Sequence, residues 1–296
     1  MRILITGANG FLGHYLVPVL LDKGYDVLAT GKGACRLQLV SQATFRYTEM
    51  DFTDRTAVAV VTDGFKPDVI IHAGAMSKPD ECETNQEAAL LINTTATGSL
   101  LQEAAKHRSF FIFISTDFVF DGNSGMYREE DIPAPVNYYG ETKWLAEKKV
   151  EQYPFPRAIV RTVLVYGQPL AGRSNILSIV KEKLEAGEIY KVVDDQLRTP
   201  TFVGDLANAI AMIAAKKATG TWHISGKDVM TPYEMACSAA DYLHLDKTRL
   251  LRVTADTFSQ PARRPARTGF IIDKAVRELG YNPVSFEEGL KKTFRN

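Results

Sequence analysis

Tyr139 and Lys143 stand four residues apart in Tyr139-Gly140-Glu141-Thr142-Lys143, the single Tyr-x-x-x-Lys of the chain. Residues i and i+4 of a helix share one face, so the ammonium of Lys143 is expected beside the phenol of Tyr139. A free phenol, with a pKa of about 10, is a poor acid–base catalyst near neutrality. A neighbouring cation favours the phenolate and brings that value toward the working pH, as general acid–base catalysis requires. With twelve tyrosines in the chain, a match of this kind is expected by chance on the order of once, so the spacing alone decides nothing.

Context gives the pair its meaning. Upstream, the apolar run Phe110 to Ile114 ends in Ser115-Thr116-Asp117. In an open α/β sheet, ligands bind at the carboxyl ends of the strands, which would put the hydroxyl of Thr116 or Ser115 at the same site as Tyr139. As hydride reaches a carbonyl carbon, charge develops on the oxygen; hydroxyl donors stabilise it and Tyr139 can supply the proton. The plainer role for the two hydroxyls is capping of the strand end.

At the start of the chain, Thr6-Gly7-Ala8-Asn9-Gly10-Phe11-Leu12-Gly13 lies directly between an apolar strand pattern and a helix pattern. Gly7 can make the tight turn, Gly10 lets the backbone approach a pyrophosphate, and Gly13 lets helix and strand pack closely. The free N–H groups of that helix then face the anion. A lone glycine triplet is weak, but this placement makes it much stronger. A carboxylate at the end of the second strand would hold the ribose 2′-OH of NAD. Here the sequence is Thr30-Gly31-Lys32-Gly33, followed by Arg36. Without the acid a 2′-phosphate is not repelled, and Lys32 or Arg36 can pair with it, so NADP is expected over NAD. NAD remains the alternative cofactor. Asp51, after the third strand, can accept from an adenine amino group or cap the helix that follows.

The elements that must position these residues alternate. Strands are expected at Arg2 to Thr6, Asp26 to Thr30, Phe45 to Glu49, Asp68 to Ala73 and Phe110 to Ile114, with helices over Phe11 to Lys23 and Glu87 to His107. Strands apolar on both faces need helices on both sides, so the fold class is α/β, a Rossmann-type doubly wound parallel sheet with a smaller C-terminal α/β lobe. The second half offers a strand at Ala158 to Thr162, helices at Ile176 to Ala186 and Val203 to Lys216, and a strand at Thr221 to Ile224. Phe286, Leu290 and Phe294 recur every four residues and predict a helix face packed into the core. Residues 1–165 are expected to form the dinucleotide-binding domain, elements around 202–224 returning to it, and 166–296 mainly the substrate-binding lobe.

Composition narrows the function classes. The 296 residues are 45% hydrophobic and 24% charged, with 35 basic against 35 acidic side chains. That balance gives no reason to expect a nucleic-acid partner. Three separated cysteines and five scattered histidines, without CxxC or HExxH, predict neither a disulfide framework nor a metal site. No stretch approaches the roughly 18 apolar residues of a membrane span. A cytoplasmic, soluble protein is expected.

Taken together, these segments resemble the extended short-chain dehydrogenase/reductase family, and within it the dTDP-4-dehydrorhamnose reductase (RmlD-like) branch. The resemblance is carried by the Gly7, Gly10, Gly13 loop, His72-Ala73-Gly74-Ala75, Asn93, Ser115 to Gly122, Glu130-Asp131, Pro135 to Lys143, Arg161 to Gly167 and Asp194 to Thr201. It implies an NAD(P)H-dependent oxidoreductase acting on a nucleotide-linked 4-keto-6-deoxysugar, with Thr116, Tyr139 and Lys143 at the catalytic positions. It places Gly7, Asn9, Gly10, Phe11, Leu12, Gly13, Lys32, Asp51, Phe52, Ala73, Gly74, Ala75 and Asn93, together with Tyr139 and Lys143, against the cofactor. Asp117, Val119, Asn175, Arg198 and Thr201 fall where the family builds its substrate pocket, as do the residues following Tyr166. Dehydratases of the family carry Asp-Glu after the Thr; here Phe118 follows Asp117, which favours reduction. Leu164 stands where dehydrorhamnose reductases typically have Trp. A sugar-nucleotide epimerase, or a non-catalytic NADP-binding regulatory subunit resembling that of methionine adenosyltransferase, would carry the same residues. A homodimer is the assembly the resemblance allows.

Overall fold

A computed structural model describes residues 1–39, 43–169 and 174–294. Strand β1 (Arg2–Thr6) buries Ile3, Leu4 and Ile5 completely, as a strand covered on both faces must. In chain order there follow α1 (Phe11–Asp22), β2 (Asp26–Gly31), β3 (Phe45–Glu49), α2 (Arg55–Phe65), β4 (Val69–His72), α3 (Pro79–Thr84), α4 (Gln86–Leu90), α5 (Ala96–Lys106) and β5 (Phe110–Thr116). Next come α6 (Tyr138–Glu151), β6 (Arg157–Thr162), β7 (Val165–Tyr166), α7 (Ile176–Glu185), β8 (Tyr190–Val193), β9 (Thr201–Phe202) and α8 (Val203–Lys216). The last elements are β10 (Gly220–Ile224), α9 (Pro232–Leu243), β11 (Leu250–Val253) and α10 (Phe286–Thr293).

Seven strands form one parallel sheet in the order β10-β6-β5-β4-β1-β2-β3. The order reverses between β1 and β4, and in such sheets ligands bind beyond the carboxyl ends at that reversal. One face packs α1 and α8 on Ile3, Ile5, Val69, Ile71 and Ile112; the other packs α2, α5 and α6 on Leu4, Ile70, Phe111 and Phe113. β10 joins the edge of this sheet beside β6, although more than fifty residues separate them. The later elements build a second core around Tyr166, Leu177, Val180, Met235, Phe286 and Leu290, with β8 pairing β11 and β7 pairing β9. Phe286 and Leu290 are buried there, as their four-residue spacing predicts, and Phe294 lies just past the end of α10, stacked on Tyr242.

Two differences from the sequence reading have physical causes. The single helix expected over Glu87 to His107 is interrupted by a wide π-turn at Leu91–Thr95. Asn93 sits in it, its amide drawn to Met76 and Thr142, and π-turns commonly mark functional sites. The cap of α2 is Asp54, which accepts from Thr56 and Ala57 N–H, so the capping role considered for Asp51 falls three residues later. Among the described residues no helix is long and apolar enough to cross a membrane.

Candidate functional site

Gly7 adopts φ +73°, and a methyl group on it would lie 2.6 Å from the amide nitrogen of Gly74. Only glycine makes this turn without strain and without pushing the ends of β1 and β4 apart. Gly10 then begins α1 with no side chain capping its first N–H groups, which leaves those donors open to an anion. A methyl on Gly13 would meet Ala8 O at 2.0 Å, so the helix lies hard against the turn. Phe11 and Leu12 open the helix, and Ala73, Gly74 and Ala75 follow β4 on the other side, with the Phe52 ring against Gly74. This cradle of glycines and uncapped amides fits the pyrophosphate of a dinucleotide.

Beneath it runs a buried polar relay. Thr97 donates to Asn93 O at 2.7 Å, so it can only accept from His72 Nε2, 3.0 Å away. His72 Nδ1 is then the acceptor for the Thr6 hydroxyl at 2.6 Å. Burial, helped by the Lys143 charge, pushes the imidazole down to about 3, so it is neutral. The Asn93 side chain, almost fully buried, accepts from Met76 N–H and donates to Met76 O and the Thr142 hydroxyl. Through these bonds the turn after β4 is fastened to the middle of α6.

That helix carries Tyr139 and Lys143. Asn137 caps it, accepting from Gly140 N–H at 2.9 Å. Gly140 itself is the close approach, since a methyl there would lie 2.0 Å from Phe118 O. The first turn of α6 therefore rests on the segment leaving β5, and the Tyr139 ring stands edge-on to Phe118, centroids 5.9 Å apart. One turn on, Lys143 is buried, 3.9 Å above the Phe113 ring, and donates to Ile114 O at 2.7 Å. Burial pushes its ammonium down to about 7, with Glu147 and Cys82 pulling the other way. Glu147, a further turn along, is buried in a 2.7 Å ion pair with Arg161.

Thr116 ends β5. Its hydroxyl accepts from Phe118 N–H at 3.2 Å and donates to Asp117 at 3.1 Å, so it both caps the short turn Asp117–Val119 and sits at the strand mouth. Ser115 Oγ, by contrast, is buried with no hydrogen-bond partner among the described residues.

The residues expected to line a substrate pocket form a second group. Asp117 is fully buried, hydrogen-bonded to the Thr268 hydroxyl and 3.9 Å from Arg198 Nε. Burial lifts its carboxyl above the usual range, while Arg198, Thr268 and Thr116 oppose the lift. Arg198 donates its remaining N–H groups to Leu197 O, Ala266 O, Gln196 and Pro265 O. It therefore ties the 265–268 strap to β5. Val119 is sealed in a cluster with Phe120, Tyr127, Val163 and Phe270. Thr201 donates to Val163 O at 2.6 Å, and Asn175 caps α7 while donating to Gly167 O. These five side chains are already engaged, so they shape a wall; residues 170–173, part of the stretch after Tyr166, lie outside the described residues. Leu164 is different: it is exposed by 36% and held at φ +31°, a costly conformation for a non-glycine residue.

Beyond the ends of β2 and β3 Lys32 pairs with Asp51 at 2.8 Å. Burial raises the Asp51 carboxyl, but Lys32 and Thr53 outweigh it and hold it below its ordinary value. Asn9 binds Lys32 O, Ala34 O and Arg36 N–H. Sequence reasoning missed Gly140, Thr268, Thr142 and Tyr47, because each acts through a contact distant in the chain; Asp117 and Thr268, for instance, are 151 residues apart. Among the described residues no group of three His, Cys, Asp or Glu side chains could hold a metal ion.

The model of the RmlD substrate binding domain family matches residues 1–296. Methionine adenosyltransferase 2 subunit beta of Bos taurus is 35% identical over 299 residues, covering 99% of this chain and 86% of that protein. The dTDP-4-dehydrorhamnose reductase of Aggregatibacter actinomycetemcomitans is 30% identical over 303 residues, 98% of this chain and 97% of that protein. The crystal structure of dTDP-4-dehydrorhamnose reductase from Bacillus anthracis in complex with NADP superposes with a TM-score of 0.87 at 29% identity, covering 99% and 98% of the two chains.

Proposed function

This chain belongs to the RmlD substrate binding domain family, and from that premise we propose that it is an NADP-dependent reductase of a nucleotide-linked 4-keto-6-deoxysugar. The observation that carries the reading is the meeting of an uncapped helix N-terminus and glycine turn with Tyr139 and buried Lys143 at the same end of the sheet. Gly7, Gly10, Phe11, Leu12, Gly13 and Ala73 to Ala75 would hold the dinucleotide, with Asn93 bracing the turn and Asn9, Lys32, Asp51 and Phe52 on its adenosine side. When bound, the dinucleotide supplies a hydride. Thr116 turns its hydroxyl from Asp117 to the substrate oxygen and offsets the charge gathering there. Tyr139 gives that oxygen a proton, and the Lys143 ammonium eases its release. Asp117, Arg198 and Thr268 keep the strap in place beside Thr116. Residues 1–165 serve as the dinucleotide-binding domain, with elements around 202–224 returning to it, and 166–296 as mainly the substrate-binding lobe.

The test is turnover of NADPH with dTDP-4-keto-6-deoxysugars. A reductase consumes NADPH in proportion to the 4-hydroxy sugar formed; an epimerase would recycle its dinucleotide instead. A second reading, a non-catalytic regulatory subunit, is favoured by the 35% identity to methionine adenosyltransferase 2 subunit beta of Bos taurus. Tight NADPH binding without turnover of any keto-sugar, together with co-elution with a methionine adenosyltransferase catalytic subunit, would select it.

A further inference from the structure

The loop that leaves β2 is fixed from three sides. Tyr47, on the neighbouring strand β3, donates its phenolic hydrogen to Gly33 O at 2.7 Å, with Gly31 O at 3.1 Å. The Tyr47 phenolic oxygen accepts from Asn9 Nδ2 at 2.7 Å. Asn9 in turn reaches Ala34 O at 3.0 Å and Lys32 O at 3.2 Å, and its own oxygen takes the Arg36 N–H at 2.9 Å. The ring nitrogens of His14, one turn into α1, lie 2.9 Å from Gly10 O and 3.0 Å from Arg36 O, and an N–H of the ring donates there. Glu49 takes the Gly33 N–H at 3.0 Å. The backbone of residues 31–36 is thus fastened to the phosphate cradle, and the Tyr47 hydroxyl lies at the junction.

The charges on that loop are unequal. Lys32 is neutralised by Asp51, whereas Arg36 has no carboxylate partner among the described residues and its side chain is exposed. β2 itself ends without an acid, and the nearby carboxylates of Glu49 and Asp51 are engaged by Gly33 N–H and Lys32, so an anion arriving there meets Arg36 as the uncompensated cation. Asn9 and His14 contact the Arg36 backbone directly, and Tyr47 holds Gly31, Gly33 and the Asn9 amide behind it.

We propose that Tyr47 is a positioning residue for cofactor choice: by holding the 31–36 loop it aims Arg36 at the 2′-phosphate of NADP. The inference rests on the NADP reading given above. Asn9 sits inside the cradle, so its loss would disturb any dinucleotide. The Tyr47 ring packs on the sheet core and its hydroxyl bonds only the loop and Asn9, so removing the hydroxyl alone should matter for the 2′-phosphate and little for the pyrophosphate.

Titration of wild type, Tyr47→Phe and Arg36→Ala with NADPH and with NADH, followed by cofactor fluorescence, tests this without recourse to turnover. Wild type is expected to prefer NADPH. Arg36→Ala should lose about 10- to 100-fold in NADPH affinity, the range for a hydrogen bond to a charged group, and Tyr47→Phe up to about tenfold. Unchanged NADH binding by both variants would certify an intact cradle. Wild-type preference retained by Tyr47→Phe, or an equal loss for both dinucleotides, overturns the role of Tyr47 while leaving the NADP reading standing. Preference retained by Arg36→Ala overturns the aim of the loop. A wild type that binds NADH as tightly as NADPH removes the cofactor reading and this inference with it.

Discussion

Where β1 and β4 end, the protein offers backbone: a glycine at φ +73° and the uncapped amides of α1. Beyond β5 it offers side chains that already bind one another, Asp117 with Thr268 and Arg198, and Arg198 with Pro265 O and Ala266 O. The first region is open to an anion because its donors lack partners. The second is closed on itself, so its polar groups set shape and hold a strap in place. Tyr139 and Thr116 stand between them, on α6 and β5. A polar residue near a site is therefore not by that fact a ligand; what matters is whether its hydrogen bonds are already made.

The contrast can be broken by substitution. Tyr139→Phe should lower keto-sugar reduction by about 100- to 10,000-fold, the usual contribution of a positioned acid, while NADPH titration shows binding unchanged. Equal rates in the variant and wild type would remove the phenol from the chemistry. On the closed side, Arg198→Ala leaves Asp117 and two strap carbonyls without their partner. A loss of about 3–5 kcal/mol is expected in denaturant unfolding, as for one member of a buried pair. If Arg198 were instead an open substrate ligand, KM would rise and stability would stay. On the open side, Gly7→Ala should cost about 1–3 kcal/mol of backbone strain and weaken NADPH binding, both measurable on one sample. Unaltered binding would mean that the cradle does not hold the dinucleotide.

The last effect is one of pH. Lys143 titrates at about 7 in the fold against an ordinary 10.5. The unfolded chain therefore binds the extra proton between those values, so stability rises with pH through that window and the burial penalty is complete below it. Lys143→Met removes the penalty. Its melting temperature should gain most on wild type near pH 7, with the difference shrinking toward pH 10. A difference independent of pH would show that the lysine is not held as described.

What could be read from the sequence was local. The glycine turn needs only eight residues between a strand and a helix, and the Tyr139–Lys143 spacing needs one helical turn; both fell where expected. Strands apolar on both faces likewise announced the parallel sheet. The closed region was not legible in its role. Arg198 and Thr201 could be placed near the site, but their engagement depends on Pro265 and Val163, brought close only by the tertiary fold. Gly140 has no role of its own in the Tyr139–Lys143 spacing, and its purpose emerges only when Phe118 O is found beside it. The π-turn at Asn93 has no sequence signature either, because it is imposed by bonds to Met76 and Thr142.

The most direct measurement is a crystal structure of the protein with NADP bound. The account predicts the pyrophosphate on the first amides of α1, with the nicotinamide end within reach of Lys143 and facing Tyr139. A dinucleotide bound elsewhere, or a Tyr139 hydroxyl turned away from the nicotinamide, would contradict it.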